Sequence, residues 1–161
     1  MKVIEYERAS AISYARKWAL SRNPNYYNFD KLGGDCTNFV SQCIFAGSNQ
    51  MNFSKINGWY YNNLNDRSPA WTGVDFFYKF LTTNTGLGPY SAIIDKSQIM
   101  PADIIILGKN NSDLYHSLIV TNVINNEILV ASHTFDTLDR PLSSYNFNIA
   151  KYLKIKGVRT N

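Results

Sequence analysis

Apolar and polar positions along the chain fall into two regimes. Up to about residue 100 the apolar residues recur at spacings of three and four, and beyond it they alternate. Ile4, Ala11, Ala15, Trp18 and Ala19 form a stripe that predicts a helix over 4–21, stopped by Asn23-Pro24. A loop rich in Tyr and Asn covers 23–32. Residues 36–46 predict a second helix: Cys36, Phe39, Val40, Cys43 and Ile44 point one way, and Gly47 is its expected C-cap. Residues 48–67, with Trp59, Tyr60 and Tyr61, have no clear period and predict a long excursion near a cleft. Ser68-Pro69 opens a further helix with Trp71, Val74, Phe77, Tyr78 and Leu81 as its apolar side, and Gly86 and Gly88-Pro89 close it.

After residue 100, Ala102 to Leu107, His116 to Ile124, Glu127 to Phe135 and Ala150 to Arg159 predict strands. Helices first and strands afterwards predict an α+β fold with an antiparallel sheet, and 161 residues at 45% hydrophobic suit one domain spanning 1–161. Asn125-Asn126 between two alternating strands reads as a two-residue hairpin turn. Pairing 124 with 127 and counting outwards sets 118 opposite 133 and 116 opposite 135. In that register His116 and His133 share the buried face as diagonal neighbours, about 7 to 8 Å apart at Cα. Asn122, about 20 Å along the strand from His116, is a poor partner for it.

The stretch GGDCTNFVSQCIFAG puts Cys36 at the first position of the second helix. Unpaired N–H groups and the positive end of the helix macrodipole favour a thiolate there, which predicts a lowered thiol pKa. Cys36 and Cys43, on one helix, stand about 10 Å apart at Cα, beyond disulfide reach, and Cys43 reads as a core residue. The cysteines and the two histidines lack the spacing of a zinc site, so no metal or other cofactor is expected. A nucleophilic thiol needs a base, and the base a group to orient it. Cys36, His116 and His133 supply all three roles if the tip of the second helix lies over that end of the hairpin.

Charge alters this picture little. The net charge of +4 comes from scattered Lys and Arg with no basic run, which argues against nucleic acid as a partner. No stretch approaches a membrane span, and the N-terminus has no uninterrupted apolar core of an export signal. Extracellular or cell-wall placement therefore requires that a signal was removed; otherwise the protein is cytoplasmic. Oligomeric state has no signature in the sequence.

GGDCTNFVSQ, MPADIIIL, HSLIVTNV and SHT, in this order, with YERASAISYARKWAL and NPNY ahead of them, resemble the putative-amidase domain family, a branch of the papain-like cell-wall amidohydrolases that also includes NlpC-type endopeptidases and CHAP domains. The resemblance covers nearly the whole chain. It implies a papain-like fold in which the nucleophile-bearing helix packs on an antiparallel sheet, with Cys36 as nucleophile, His116 as base and His133 as the third polar residue. It also implies cleavage of amide bonds through an acyl-enzyme, with peptides of the peptidoglycan stem as favoured substrate. In NlpC-type relatives the acid before the cysteine helps hold a free peptide amine. Carried onto this chain that residue is Asp35, which reads equally as a brace of its own turn, and Gly34 and Trp59 are assigned to substrate binding beside it. Thr37-Asn38 stands where those endopeptidases commonly have Ser-Gly, a departure that leaves their exact substrate preference open for this chain. Asp103 reads as turn and strand-start chemistry and Asp136 as a further cleft candidate. The rival readings are an amidase or acyltransferase acting on small peptides or conjugated amines, and a catalytically silent papain-like binding module.

Overall fold

A computed structural model describes all residues, 1–161. In chain order the elements are β1 (Lys2–Ile4), α1 (Arg8–Trp18), α2 (Cys36–Ser48), β2 (Tyr61–Asn63), β3 (Asp66–Arg67), α3 (Pro69–Thr72), α4 (Val74–Thr83), β4 (Gly88–Ile93), β5 (Ile104–Asn110), β6 (Asp113–Ile124), β7 (Glu127–Ser132), β8 (Thr137–Pro141) and β9 (Ile149–Thr160). The main sheet runs β1-β9-β5-β6-β7-β8 with β4 also on β9, and all its pairings are antiparallel. The fold is α+β. Val158 of β9 pairs with both Ile4 and Pro89, so β1 and β4 flank that long strand on opposite sides.

Several elements depart from the sequence expectation for local reasons. Lys2–Ile4 pairs with β9, so the first helix starts only at Arg8. Gly47 lies inside α2 instead of capping it: a Cβ there would come within 2.7 Å of the Tyr6 ring, and Asn49, at φ 49°, takes the left-handed cap. The third expected helix is two, because Gly73 is extended at φ −104°, ψ 127°. The excursion holds the small β2–β3 hairpin, and β4 and β8 are strands that the alternation did not announce.

The two faces of the sheet are covered differently. Ile104, Ile106, Ile119, Ala131, Leu153 and Ile155 join the helices in the larger core. Ile105, Leu107, Leu118, Val120, Ile128 and Val130 form a second core, closed by Ile99, Leu142, Tyr145 and Phe147 from connecting segments. On the first face α2 is central, and all its residues except Phe45 and Ala46 are buried. Its polar side chains are therefore buried too, and each of four finds a partner. Thr37 meets Ser117 Oγ at 2.9 Å, the Trp71 indole donates to Asn38 Oδ1 at 3.0 Å, Ser41 donates to the Trp71 carbonyl at 2.9 Å, and Tyr14 donates to Gln42 Oε1. Asp103 accepts from Arg8 at 2.8 Å, from Met100 N–H at 3.0 Å and from Ile155 N–H at 3.1 Å, tying the start of α1 to the sheet as turn chemistry suggests.

Candidate functional site

The approach to α2 requires glycine. Gly33 and Gly34 sit at φ +85° and +95°, where a Cβ is strained, and Gly34 N–H donates to the Phe29 carbonyl at 3.0 Å, folding the loop back before the helix begins. Gly34 also faces the turn after β7, since a Cβ built on it would lie 3.7 Å from Thr134 Oγ1. Asp35 follows, fully buried. Its Oδ1 accepts from Phe29 N–H at 2.8 Å and from Asn38 Nδ2 at 2.9 Å, and its Oδ2 lies 2.5 Å from His133 Nδ1 and 3.3 Å from Arg22 Nε. The carboxylate is thus committed to the protein's own donors. Of the two readings of Asp35, an amine-holding acid and a brace of its turn, these contacts match the brace.

Cys36 opens α2 and is 8% exposed. Its Sγ is 3.8 Å from Thr37 Oγ1. Burial raises the thiol pKa; backbone hydrogen bonding from Ser117 and the Thr37 hydroxyl and backbone lower it in part, and the Asp35 charge raises it again. The lowered pKa expected of a helix start is therefore corrected. Removing the sulfur from water outweighs the N–H groups aimed at it, and the preceding residue is an anion. Cys43, fully buried among core residues, is the packing residue the sequence suggested.

The hairpin register is corrected as well. Ile124 pairs with Glu127 and Asn122 with Leu129, as counted, but Val120 then pairs with Val130 and Ile119 with Ala131. Thr121 is the extra residue of a β-bulge, its hydroxyl donating to Asp139 Oδ1 at 2.7 Å. One inserted residue inverts the facing of everything beyond it. His133 consequently lies on the helix side with Ala131, stacked on Phe39 at 4.1 Å between ring centroids. His116 pairs with Leu107 and lies on the other side, its ring 5.9 Å from that of Tyr145. No hydrogen bond joins His116 to His133 or to Cys36. His133 is instead held at both nitrogens, by Asp35 and by the Trp18 carbonyl, to which Nε2 is 2.8 Å away. The expected hydrogen bond by which His133 orients His116 is replaced by these two.

His116 has a different character. Burial first, and the Arg140 charge second, push its pKa down to about 4, so the ring is neutral at neutral pH. Arg140 stacks over the Tyr145 ring at 3.7 Å, and that pair walls the pocket of the imidazole. Ser117, the next residue, faces α2, so the strand carrying His116 touches the Cys36 region through its neighbour.

Trp59 is the clearest correction. It is fully buried, 4.7 Å from the Trp71 ring and hydrogen-bonded to Ser41, so it builds the core and cannot meet a substrate. A cleft of about 550 Å³ lies over α4, bordered by Asn52, Asn57, Phe76, Lys79 and Asn84. None of Cys36, His116 or His133 lines it, and its volume alone supplies no nucleophile. The side chain the sequence did not flag is Arg22, which contacts Asp35 and also Asp136. No periodicity or motif distinguishes it from the other arginines. No set of three or more His, Cys, Asp or Glu side chains converges in a way that could hold a metal ion, and no helix is long and apolar enough to cross a membrane.

Residues 5–155 match the Putative amidase domain. Two curated relatives, both from Bacillus subtilis strain 168, are similar to the chain. Uncharacterized protein YhbB is 29% identical over 141 residues, covering 84% of this chain and 44% of the relative. Uncharacterized protein YjcM is 28% identical over 145 residues, covering 84% of this chain and 32% of the relative. The chain thus spans less than half the length of either. No solved structure matches it.

Proposed function

Because the chain belongs to the Putative amidase domain family, we propose that it is a cysteine-dependent amidohydrolase of papain-like design, with Cys36 as nucleophile and His116 as base. The observation that carries this reading is Cys36 at the N-terminus of the central helix, whose next residue, Thr37, is hydrogen-bonded at 2.9 Å to Ser117, the residue that follows His116. The β6–β7 ladder ends at Ile119 and Ala131, so residues 116–118 have no strand partner on that side. The proposed mechanism requires the imidazole to approach the sulfur around this open edge.

With the thiol pKa raised and the imidazole pKa lowered, the resting pair is neutral. His116 accepts the thiol proton as sulfur attacks the amide carbonyl carbon, and the carbonyl π electrons move onto oxygen. The Cys36 backbone N–H, free at the helix start, donates to that oxyanion, a type of contact often worth about 10²–10³ in rate. His116 then protonates the departing amine as the C–N bond breaks, leaving a thioester. Water, deprotonated by the same ring, hydrolyses it and restores the thiol. The substrate class is a peptide amide, with cell-wall stem peptides favoured.

Purified sacculi incubated with the protein are expected to release stem-peptide fragments, and Cys36→Ala to release none. Release from neither sacculi nor small peptide amides, together with an unreactive Cys36, favours the second reading, a papain-like binding module without catalysis. What supports that alternative is the placement of His116 and His133 on opposite faces of the sheet.

A further inference from the structure

Beside Cys36 lies a group of charges that the proposed chemistry does not use. Arg22 stands just beyond the end of α1, its side chain 22% exposed, and its guanidinium meets three carboxylates. Nη1 and Nη2 donate to the two oxygens of Asp136 at 2.7 and 2.9 Å. Nη2 also lies 3.0 Å from both oxygens of Asp30, while the buried Nε, 3.3 Å from Asp35 Oδ2, makes an ion pair with it but no hydrogen bond. Arg8 and Arg16 each pair with a single carboxylate. A planar fork with five donors can serve three acids at once; an ammonium on a flexible stem cannot do so with fixed geometry.

We propose that Arg22 is a positioning residue for Cys36: by holding Asp35 while drawing in Asp30 and Asp136, it locks the first turn of α2 to the end of β7. The segments so joined are the end of α1, the loop through Asp30, the α2 tip and the turn holding Asp136. His133 completes the lock from the sheet. Its Nε2 lies 2.8 Å from the Trp18 carbonyl, which only accepts, and its Nδ1 lies 2.5 Å from Asp35 Oδ2. The charged and titratable groups facing Asp35 are Arg22, Asp30, Asp136 and His133, while Arg16 and Asp139 on neighbouring α1 and β8 neutralise one another.

Without Arg22, three acids remain against one ring. Asp30 and Asp136 are at the surface and can swing into water, which releases the turn after β7. Asp35, fully buried and adjacent to Cys36 in the chain, cannot. Its charge would then act on the sulfur unopposed from the Arg22 side, through little solvent. Arg22 touches no reacting atom, and its effect passes through Asp35.

The test is the pH profile of iodoacetamide alkylation at Cys36, mapped by mass spectrometry to separate it from Cys43, in Arg22→Gln and Arg22→Lys. In Arg22→Gln the inflection is expected to rise by about half a unit or more, with the plateau rate at least about threefold lower. Arg22→Lys keeps the charge, so its inflection stays within a few tenths of wild type while its plateau rate falls. Asp136→Asn is the companion variant should Arg22→Gln not fold: relieved of one acid, Arg22 closes on Asp35, and the inflection stays or drops. An unshifted profile in folded Arg22→Gln, or a rise in Asp136→Asn, overturns the proposal. It rests on the amidase reading only for its effect on turnover. A wild-type protein that shows the Arg22 dependence but cleaves no amide retires that reading and keeps this one, and turnover that ignores Arg22 does the reverse.

Discussion

His116 and His133 lie on neighbouring segments of one hairpin and differ in nearly every physical respect. His133 is buried beneath α2, stacked on Phe39, with both nitrogens bound. His116 sits on the opposite face against Tyr145, kept neutral by burial and by Arg140, with no hydrogen bond to either nitrogen. A ring whose donors are all committed can position its neighbours but has no capacity left for moving a substrate proton. A ring held by packing keeps that capacity. The comparison matches a supporting role for His133 and leaves His116 free for the role proposed for it.

The largest expected separation is in turnover. His116→Ala should lower kcat by about 10²–10⁴ with little change in the urea midpoint, measured on whichever peptide amide the wild type cleaves. Equal losses of stability and rate would break the distinction. His133→Ala should act in the opposite sense, costing about 3–5 kcal/mol of unfolding free energy because it removes the only hydrogen-bond partner of Asp35 Oδ2 in the core. Urea denaturation reads this directly, and a loss below about 1 kcal/mol would show that the buried pair contributes little.

Acid provides the third contrast. The folded His116 pKa of about 4 lies below the ordinary 6.5, so the unfolded chain binds the extra proton first. Stability from this group is complete above pH 6.5 and is lost as pH falls toward 4, by at most about 3 kcal/mol in total. Comparing wild type with His116→Asn at pH 7 and 4.5 isolates it, the variant losing less on acidification. By the same value, the acid limb of kcat/KM should lie near pH 4 and not near 6.5. The smallest effect concerns the bulge that separates the histidines. Thr121→Ala removes one hydrogen bond to Asp139 and should cost about 1 kcal/mol, leaving the register intact by NMR cross-strand contacts.

Much of this arrangement was legible before any coordinates. Spacing marked Cys36 as the first residue of a helix, alternation marked the hairpin, and Asn125-Asn126 marked its turn, both residues lying at positive φ as a tight turn of that kind demands. Each of these is a local property, decided within a few residues. Trp59 misled because aromatic residues without period look the same whether they line a cleft or fill a core. Arg22 and Asp30 were mute, and Asp136 was no more than a cleft candidate, because an ion cluster assembled from two separate connecting segments leaves no trace in spacing.

The sequence by itself determined the main helices and the strands of the central hairpin, and that a thiol would stand where a helix begins, since backbone sterics and periodic burial act at short range. Tertiary structure alone decided which way the histidines point, how the sulfur's acidity is tuned and what Asp35 is for. A single bulged residue reverses a strand's facing, and the charge on a buried group depends on water and partners that only the folded chain brings together or removes.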